Sequence, residues 1–210
     1  AYPLQPKIED LLREVAAGHP VLVFQNLTFS MYPVWHYAVV IGFDRERHVF
    51  LLHSGRTARM EISLYAFERT WARGQYWAML ALQPGQLPAT AEPLVYTAAA
   101  ATLERTDARG AQQAFAAALQ RWPDERAALL GAGNTAYALG QREVAEQAYR
   151  QLLSKHPDFA DGWNNLAQVL LDLGRRADAS LAITRAVALG GARLQEYLNL
   201  QLQIDKAAGP

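Results

Sequence analysis

The stretch PVWHYAVVIGFDRERHVFLLHSG, residues 33–55, decides how the first part of the chain folds. Two runs rich in β-branched and aromatic residues flank the charged DRER, which is the pattern of a β-hairpin. His36 opens the first strand and His53 closes the second. Whether the two imidazoles meet depends on register. If Phe43 pairs with His48, then Ala38 pairs with His53, and His36 is its diagonal neighbour with Cβ atoms about 7–8 Å away. One more residue in the loop puts the histidines on opposite faces. The sequence allows both.

Outward from the hairpin, IEDLLREVAAG places Ile8, Leu11, Leu12 and Val15 at helical spacing, and Gly18 with Pro20 stops the helix. PVLVFQN is then a short buried strand, RMEIS a strand, SLYAFERTWARG a helix and YWAMLAL a closing strand. The expected result is a small antiparallel sheet with two helices. Trp35, Trp71 and Trp77 fall on apolar faces and are expected in the core. Gln25 and Asn26, ending the buried strand, either cap it or line a polar site at the sheet end. Asp44 reads as a turn residue.

Composition changes near residue 84. QPGQLPATAEP (83–93) carries three prolines in eleven residues, and beyond it the chain is rich in alanine and leucine at helical spacing. The expected domains are therefore 1–83 and 93–210, with 84–92 as a linker. The second one repeats: Ala111, Ala145 and Ala179 are 34 residues apart, as are Phe115, Tyr149 and Ile183, Pro123 and Pro157, and Gly140 and Gly174. Small alanines let two helices approach, the larger side chain wedges between them, and glycine ends the first helix of each pair where φ turns positive.

Charge proposes no ligand. Twenty basic and twenty acidic residues cancel, so nothing points to nucleic acid or an anionic membrane. No apolar run approaches the roughly 20 residues of a membrane span. The chain has no cysteine, so it supplies no disulfide, thiolate metal site or thiol nucleophile. Two histidines without a third ligand make no metal site, and no cofactor is expected.

The helical repeat resembles the tetratricopeptide repeat over residues 93–191, with GWNNLAQVLLDLGRRADASLAITRAVAL its best copy and ARLQEYLNLQLQID a capping helix. This resemblance implies an all-α solenoid whose first helices line a groove for a peptide or protein partner. Asn134, Asn164 and Gln168 fall at groove-facing positions, where amides grip an extended backbone.

The order GHPVLVFQN, WHYAVVIGFD, VFLLHSG, FERTW, YWAMLAL resembles the second half of the papain-like cysteine peptidases of the double-glycine-leader, or bacteriocin-processing, group. The resemblance covers residues 1–83 and implies an α+β fold: half of a papain-like domain, followed by the solenoid. It makes His36 the catalytic histidine. The family's orienting aspartate falls on His53 or beside it, in LLHSG rather than DP, so this chain departs from the pattern there. The family's nucleophilic cysteine belongs to a segment upstream of Ala1. What the resemblance implies is a cysteine peptidase fragment, inactive alone, acting on a peptide or protein substrate. Gln25 and Asn26 are then substrate-binding, and a thiol-bearing N-terminal fragment or a second copy covers the sheet. A bacterial envelope or periplasmic location is also implied. The alternatives are a degenerate domain that binds peptides without cleaving them and a scaffold in which the sheet only supports the repeats.

Overall fold

The computed structural model describes residues 1–206; residues 207–210, which the sequence reading assigns to the end of the helical domain, lie outside the described residues. The chain divides into two units, residues 1–99 and the residues from Ala100 onward.

The first unit runs β1 (Tyr2–Pro3), α1 (Ile8–Ala16), β2 (Val21–Asn26), β3 (Trp35–Asp44), β4 (Val49–Ser54), β5 (Thr57–Ser63), α2 (Leu64–Arg73) and β6 (Ala78–Leu80). The strands form one antiparallel sheet in the order β1-β6-β2-β3-β4-β5. The strand at Tyr2–Pro3 was not legible, because two residues carry no period. Helix α1 stops where Gly18 takes φ 82°. At the start of α2, Ser63 Oγ accepts the Ala66 N–H at 3.2 Å. Both helices pack on the face formed by Val21, Val23, Ala38, Val40, Phe50, Leu52 and Leu80, all buried with Leu11, Phe67 and Trp71. Phe67 joins the layers, its ring 4.5 Å from that of Phe50 and 5.7 Å from that of Trp71.

Hairpin register is settled by a bulge. At the turn Asp44 faces Val49 and Phe43 faces Phe50, but Ile41 is an extra residue, and beyond it Val40 faces Leu52, Val39 faces His53 and Ala38 faces Ser54. The pairing of Ala38 with His53 does not occur. His53 lies on the face of Val39, opposite to that of His36. Of the three tryptophans expected in the core, only Trp71 is there; Trp35 is 52% and Trp77 41% exposed on the sheet face away from the helices. Their strands are amphipathic as read, but both helices lie on the other side.

One charged side chain is fully buried in the first unit. Glu14, on α1, accepts the backbone N–H of Thr90 at 2.7 Å, that of Ala89 at 3.1 Å and the Thr90 hydroxyl at 2.6 Å. His19 Nδ1 lies 2.7 Å from the same carboxylate. Tyr2 joins this knot: its hydroxyl donates to Thr90 O and accepts from Glu92 N–H, each at 3.1 Å. Residues 84–92, expected as a linker, are thus hydrogen-bonded to the first unit. Burial pushes the Glu14 carboxyl up, but the bonds from Thr90, His19 and Ala89 outweigh it and hold the group below the ordinary glutamate range.

The second unit consists of helices at the repeat spacing. Seven helices occupy 93–206: α3 (Pro93–Ala101), α4 (Ala108–Arg121), α5 (Arg126–Ala138), α6 (Arg142–Lys155), α7 (Ala160–Asp172), α8 (Arg176–Leu189) and α9 (Leu194–Lys206). Helix α3 spans the division between the units. Starts at 108, 142 and 176, and at 126, 160 and 194, keep the 34-residue step, so α9 stands where the first helix of a further repeat would. Gly140 and Gly174 end α5 and α7 with φ 76° and 75°. Inside α5, Gly131 and Gly133 seat aromatic rings: an added Cβ would lie 2.2 Å from Phe115 of α4 and 2.3 Å from Tyr149 of α6.

Two outcomes follow from this packing. Glycine to alanine inside a helix ordinarily stabilises by about 1 kcal/mol. Gly131→Ala has no room beside Phe115, so the sign reverses, with a loss of about 1–3 kcal/mol. Thermal unfolding measures it, and a raised Tm refutes the packing. Glu14→Ala leaves two partly buried N–H donors and a hydroxyl without their acceptor and costs the first unit about 2–3 kcal/mol, read from urea unfolding. Because the folded-state pKa of Glu14 is depressed, its contribution is complete above the ordinary glutamate range and disappears as pH falls through the folded value. The acid limb of the first unit's stability therefore flattens in the variant.

Candidate functional sites

At the end of the helix-covered face, three strands bring polar side chains together. Gln25 on β2 pairs directly with His36 on β3, and the bulge delivers Ser54 of β4 to the same face. His36 Nε2 and Ser54 Oγ are 2.8 Å apart, a bond in which either can donate. Among the described residues, Nδ1 of this half-exposed ring has no hydrogen-bond partner. Gln25 is buried, its amide donating to Thr70 Oγ1 of α2 at 2.7 Å, and Thr70 donates to Phe67 O at 2.8 Å.

The other sequence candidates are placed apart from this cluster. His53 is exposed on the opposite face and its Nδ1 accepts the Arg59 N–H at 3.3 Å. Asn26 is buried and organises the loop that follows: its Oδ1 accepts from Thr28 N at 3.1 Å and Val34 N at 3.0 Å. Asp44 accepts from Arg47 N at 3.0 Å, as a turn residue does. Ser54, not His53, touches His36. The signal for it lies in the sequence, one residue beyond His53, but only the bulge decides which of the two faces inward.

The face carrying His53 is aromatic. Phe24 stacks on Trp35 at 5.0 Å and lies 4.7 Å from Tyr37, whose ring meets Trp77 at 5.8 Å. Trp35, Tyr37 and Trp77 stay exposed, together with Phe29, Met31 and Tyr32 in the neighbouring loop.

In the second unit, Asn134, Asn164 and Gln168 come together on first helices α5 and α7. Asn134 Oδ1 accepts from Tyr149 Oη at 2.8 Å and from Asn165 Nδ2 at 3.1 Å. A cavity of about 210 Å³ opens here, lined by Glu104, Asn134, Tyr137, Tyr149, Asn165 and Gln168. A second, of about 250 Å³, lies across Gln168 and is lined by Asn164, Glu196, Asn199, Leu200 and Gln203. Tyr149 is buried, which pushes its hydroxyl far above the ordinary range and keeps it a neutral donor. Glu104, Asn165, Asn199 and Gln203 were not singled out from the sequence. The last three follow from Asn134, Asn164 and Gln168 once the helical phase is known, whereas Glu104 sits in the turn after α3, outside any period.

Among the described residues no three histidine, aspartate or glutamate side chains gather as a metal site, and no helix is long and apolar enough to cross a membrane.

Comparison with known proteins bears on the second unit. Residues 130–193 match the family model for the tetratricopeptide repeat. No curated protein is similar to the chain at a significant level. Among solved structures, MamA is similar at 19% identity and TM-score 0.50 over 56% of this chain and 64% of its own, so less than two thirds of MamA is spanned. The first TPR domain of Spaghetti (RPAP3), solved with the HSP90 peptide SRMEEVD, is similar at 13% identity and TM-score 0.53 over 56% and 94%. The secretion chaperone SycD of Yersinia enterocolitica, solved with a peptide of the translocator YopD, is similar at 18% identity and TM-score 0.50 over 54% and 92%. At these identities the likeness concerns the fold, and with the family match it makes the second unit a tetratricopeptide-repeat solenoid.

Proposed function

We propose that the chain handles peptides with both units: the solenoid holds a peptide or protein partner in its amide-lined groove, and the sheet supplies the histidine of a thiol acyl-transfer site. Supporting the groove are the two cavities that meet at Gln168, and the neighbours solved with peptides bound. One observation carries the histidine reading. His36 has one ring nitrogen held by Ser54 and the other open at the end of the sheet face.

The chemistry follows from that asymmetry. The bond to Ser54 fixes the ring's orientation, and Nδ1 takes the proton of a thiol to give a thiolate beside an imidazolium. After the thiolate attacks the peptide carbonyl, the same nitrogen returns the proton to the leaving amine. Gln25, the cross-strand neighbour of His36, holds α2 against this corner through Thr70. The thiol comes from outside these 210 residues, which contain no cysteine. A second reading, peptide binding without cleavage, is favoured by Ser54, since a neutral hydroxyl orients and stabilises an imidazolium less than a carboxylate does.

The gene product extended upstream of Ala1 tests the proposal through its rate of alkylation by iodoacetamide near neutral pH. His36→Ala is expected to slow the reactive thiol about tenfold or more, because an unassisted thiol is only a few per cent ionised at pH 7. Ser54→Asp preserves or raises the rate, and His53→Ala, on the other face, leaves it unchanged. An unaltered rate in His36→Ala, or an extended product without any cysteine, sinks the thiol reading.

In the chain as it stands, Ser54→Ala redistributes the tautomers of neutral His36, seen in the ring ¹⁵N shifts, and leaves those of His53 alone. Equal shifts in variant and parent mean that Ser54 does not orient the ring.

A further inference from the structure

Around Gln168 the groove is built mostly of groups that are already spoken for, with one exception. Asn134 accepts two hydrogen bonds on Oδ1 and donates its amide to the Glu104 carboxylate. Gln168 donates to Asp172 Oδ1 at 2.8 Å, and Tyr137 Oη donates to Asp172 Oδ2 at 2.7 Å. Arg142 is committed as well: it lies 3.3 Å from Asp172 Oδ2, donates to Tyr137 O at 2.6 Å and covers the Tyr137 ring at 4.1 Å. Glu104 alone has charge to spare. Among the described residues it is in no ion pair, Asn134 is its partner, and it lines the 210 Å³ cavity from a half-buried position.

We infer that Glu104 makes this cavity a pocket for a cationic side chain, lysine or arginine, of an extended peptide lying in the solenoid groove. The inference rests on the peptide-binding reading of that groove and adds its selectivity. Of the residues that line the cavity, Glu104 carries the formal charge, while the Tyr149 hydroxyl and one amide N–H each of Asn134, Asn165 and Gln168 are engaged within the network. An acidic side chain would meet a carboxylate of like charge that no cation compensates. A basic one brings several N–H donors to that carboxylate. Burial pushes the Glu104 carboxyl up from the ordinary range against the Asn134 hydrogen bond, and a cation in the cavity would offset that cost. Backbone grip comes from the other side of Gln168, where Asn164, Asn199 and Gln203 line the adjoining cavity.

The test uses the whole chain and four fluorescein-labelled octapeptide pools, random except for a fixed central arginine, lysine, alanine or glutamate, read by fluorescence anisotropy. The arginine and lysine pools are expected to bind about tenfold more tightly than the alanine pool, the size of a partly buried charge pair, and the glutamate pool most weakly. Glu104→Gln keeps the shape and the Asn134 contact; it should remove the preference for arginine and lysine over alanine. Equal affinities in the parent, or a preference that survives Glu104→Gln, overturn the cation pocket while the groove reading stands. Failure of every pool to bind overturns both. Gln203→Ala, which is exposed, separates the two parts: it should weaken all pools alike and keep the order.

Discussion

The extra residue at Ile41 is the constraint on which the sheet's chemistry depends. At the turn, Phe43 faces Phe50, and in an uninterrupted ladder that register would bring Val40 opposite His53 and turn Leu52 to the outside. A bulge of one residue reverses the outcome. Val40 faces Leu52, both wholly buried under the helices, and Phe50 keeps its contact with Phe67. Burying Leu52 and Phe50 together is worth about 3–6 kcal/mol, far more than any pairing of two half-solvated histidines. The approach of Ser54 to His36 is therefore set by hydrophobic packing, and the polar pair inherits its position from the core.

The two units solve the problem of buried polarity differently. In the first, three buried polar side chains tie segments that would otherwise be loose: Glu14 holds residues 89 and 90, Asn26 the loop after β2, and Gln25 the helix α2. Among the described residues no buried side-chain polar atom lacks a partner. Removing one such tie strands several donors at once, so these residues are critical without touching a substrate. The solenoid relies instead on close approach of helices, with Phe115 and Tyr149 seated on glycines of α5 and Ile183 buried in the following pair. Its polar side chains are thereby released to the groove.

What the sequence made legible follows the same division. A 34-residue period in four sets of residues located the solenoid helices, because each repeat must present the same small and large residues to its neighbours. Asn134, Asn164 and Gln168 came with it. The hairpin was legible too, but not its register, since WHYAVVIGFD supports two phases: Ala38 and Val40 point one way by strict alternation, and Phe43 joins them only across a bulge. Local composition does not specify a bulge, so His53 could not be told from Ser54 as the neighbour of His36. Trp35 and Trp77 were misread for a related reason: an apolar strand face says that something can cover it, not which face the helices choose. Glu14 and Glu104 carried no pattern at all, because their partners are distant in sequence or in a turn.

A chain with no net charge has no long-range field to select a partner, so selectivity in the groove has to arise at contact. Amides such as Asn164 and Gln203 offer both a donor and an acceptor to any peptide backbone and discriminate poorly between sequences. A single carboxylate among neutral amides discriminates by sign, because the wrong charge is repelled where the right one is paired. The burial that raises Glu104 would also shield its interaction with the proposed cation from salt, while the amide contacts depend on geometry alone. On the proposed reading, affinity and selectivity thus reside in different residues of one groove and are open to change independently.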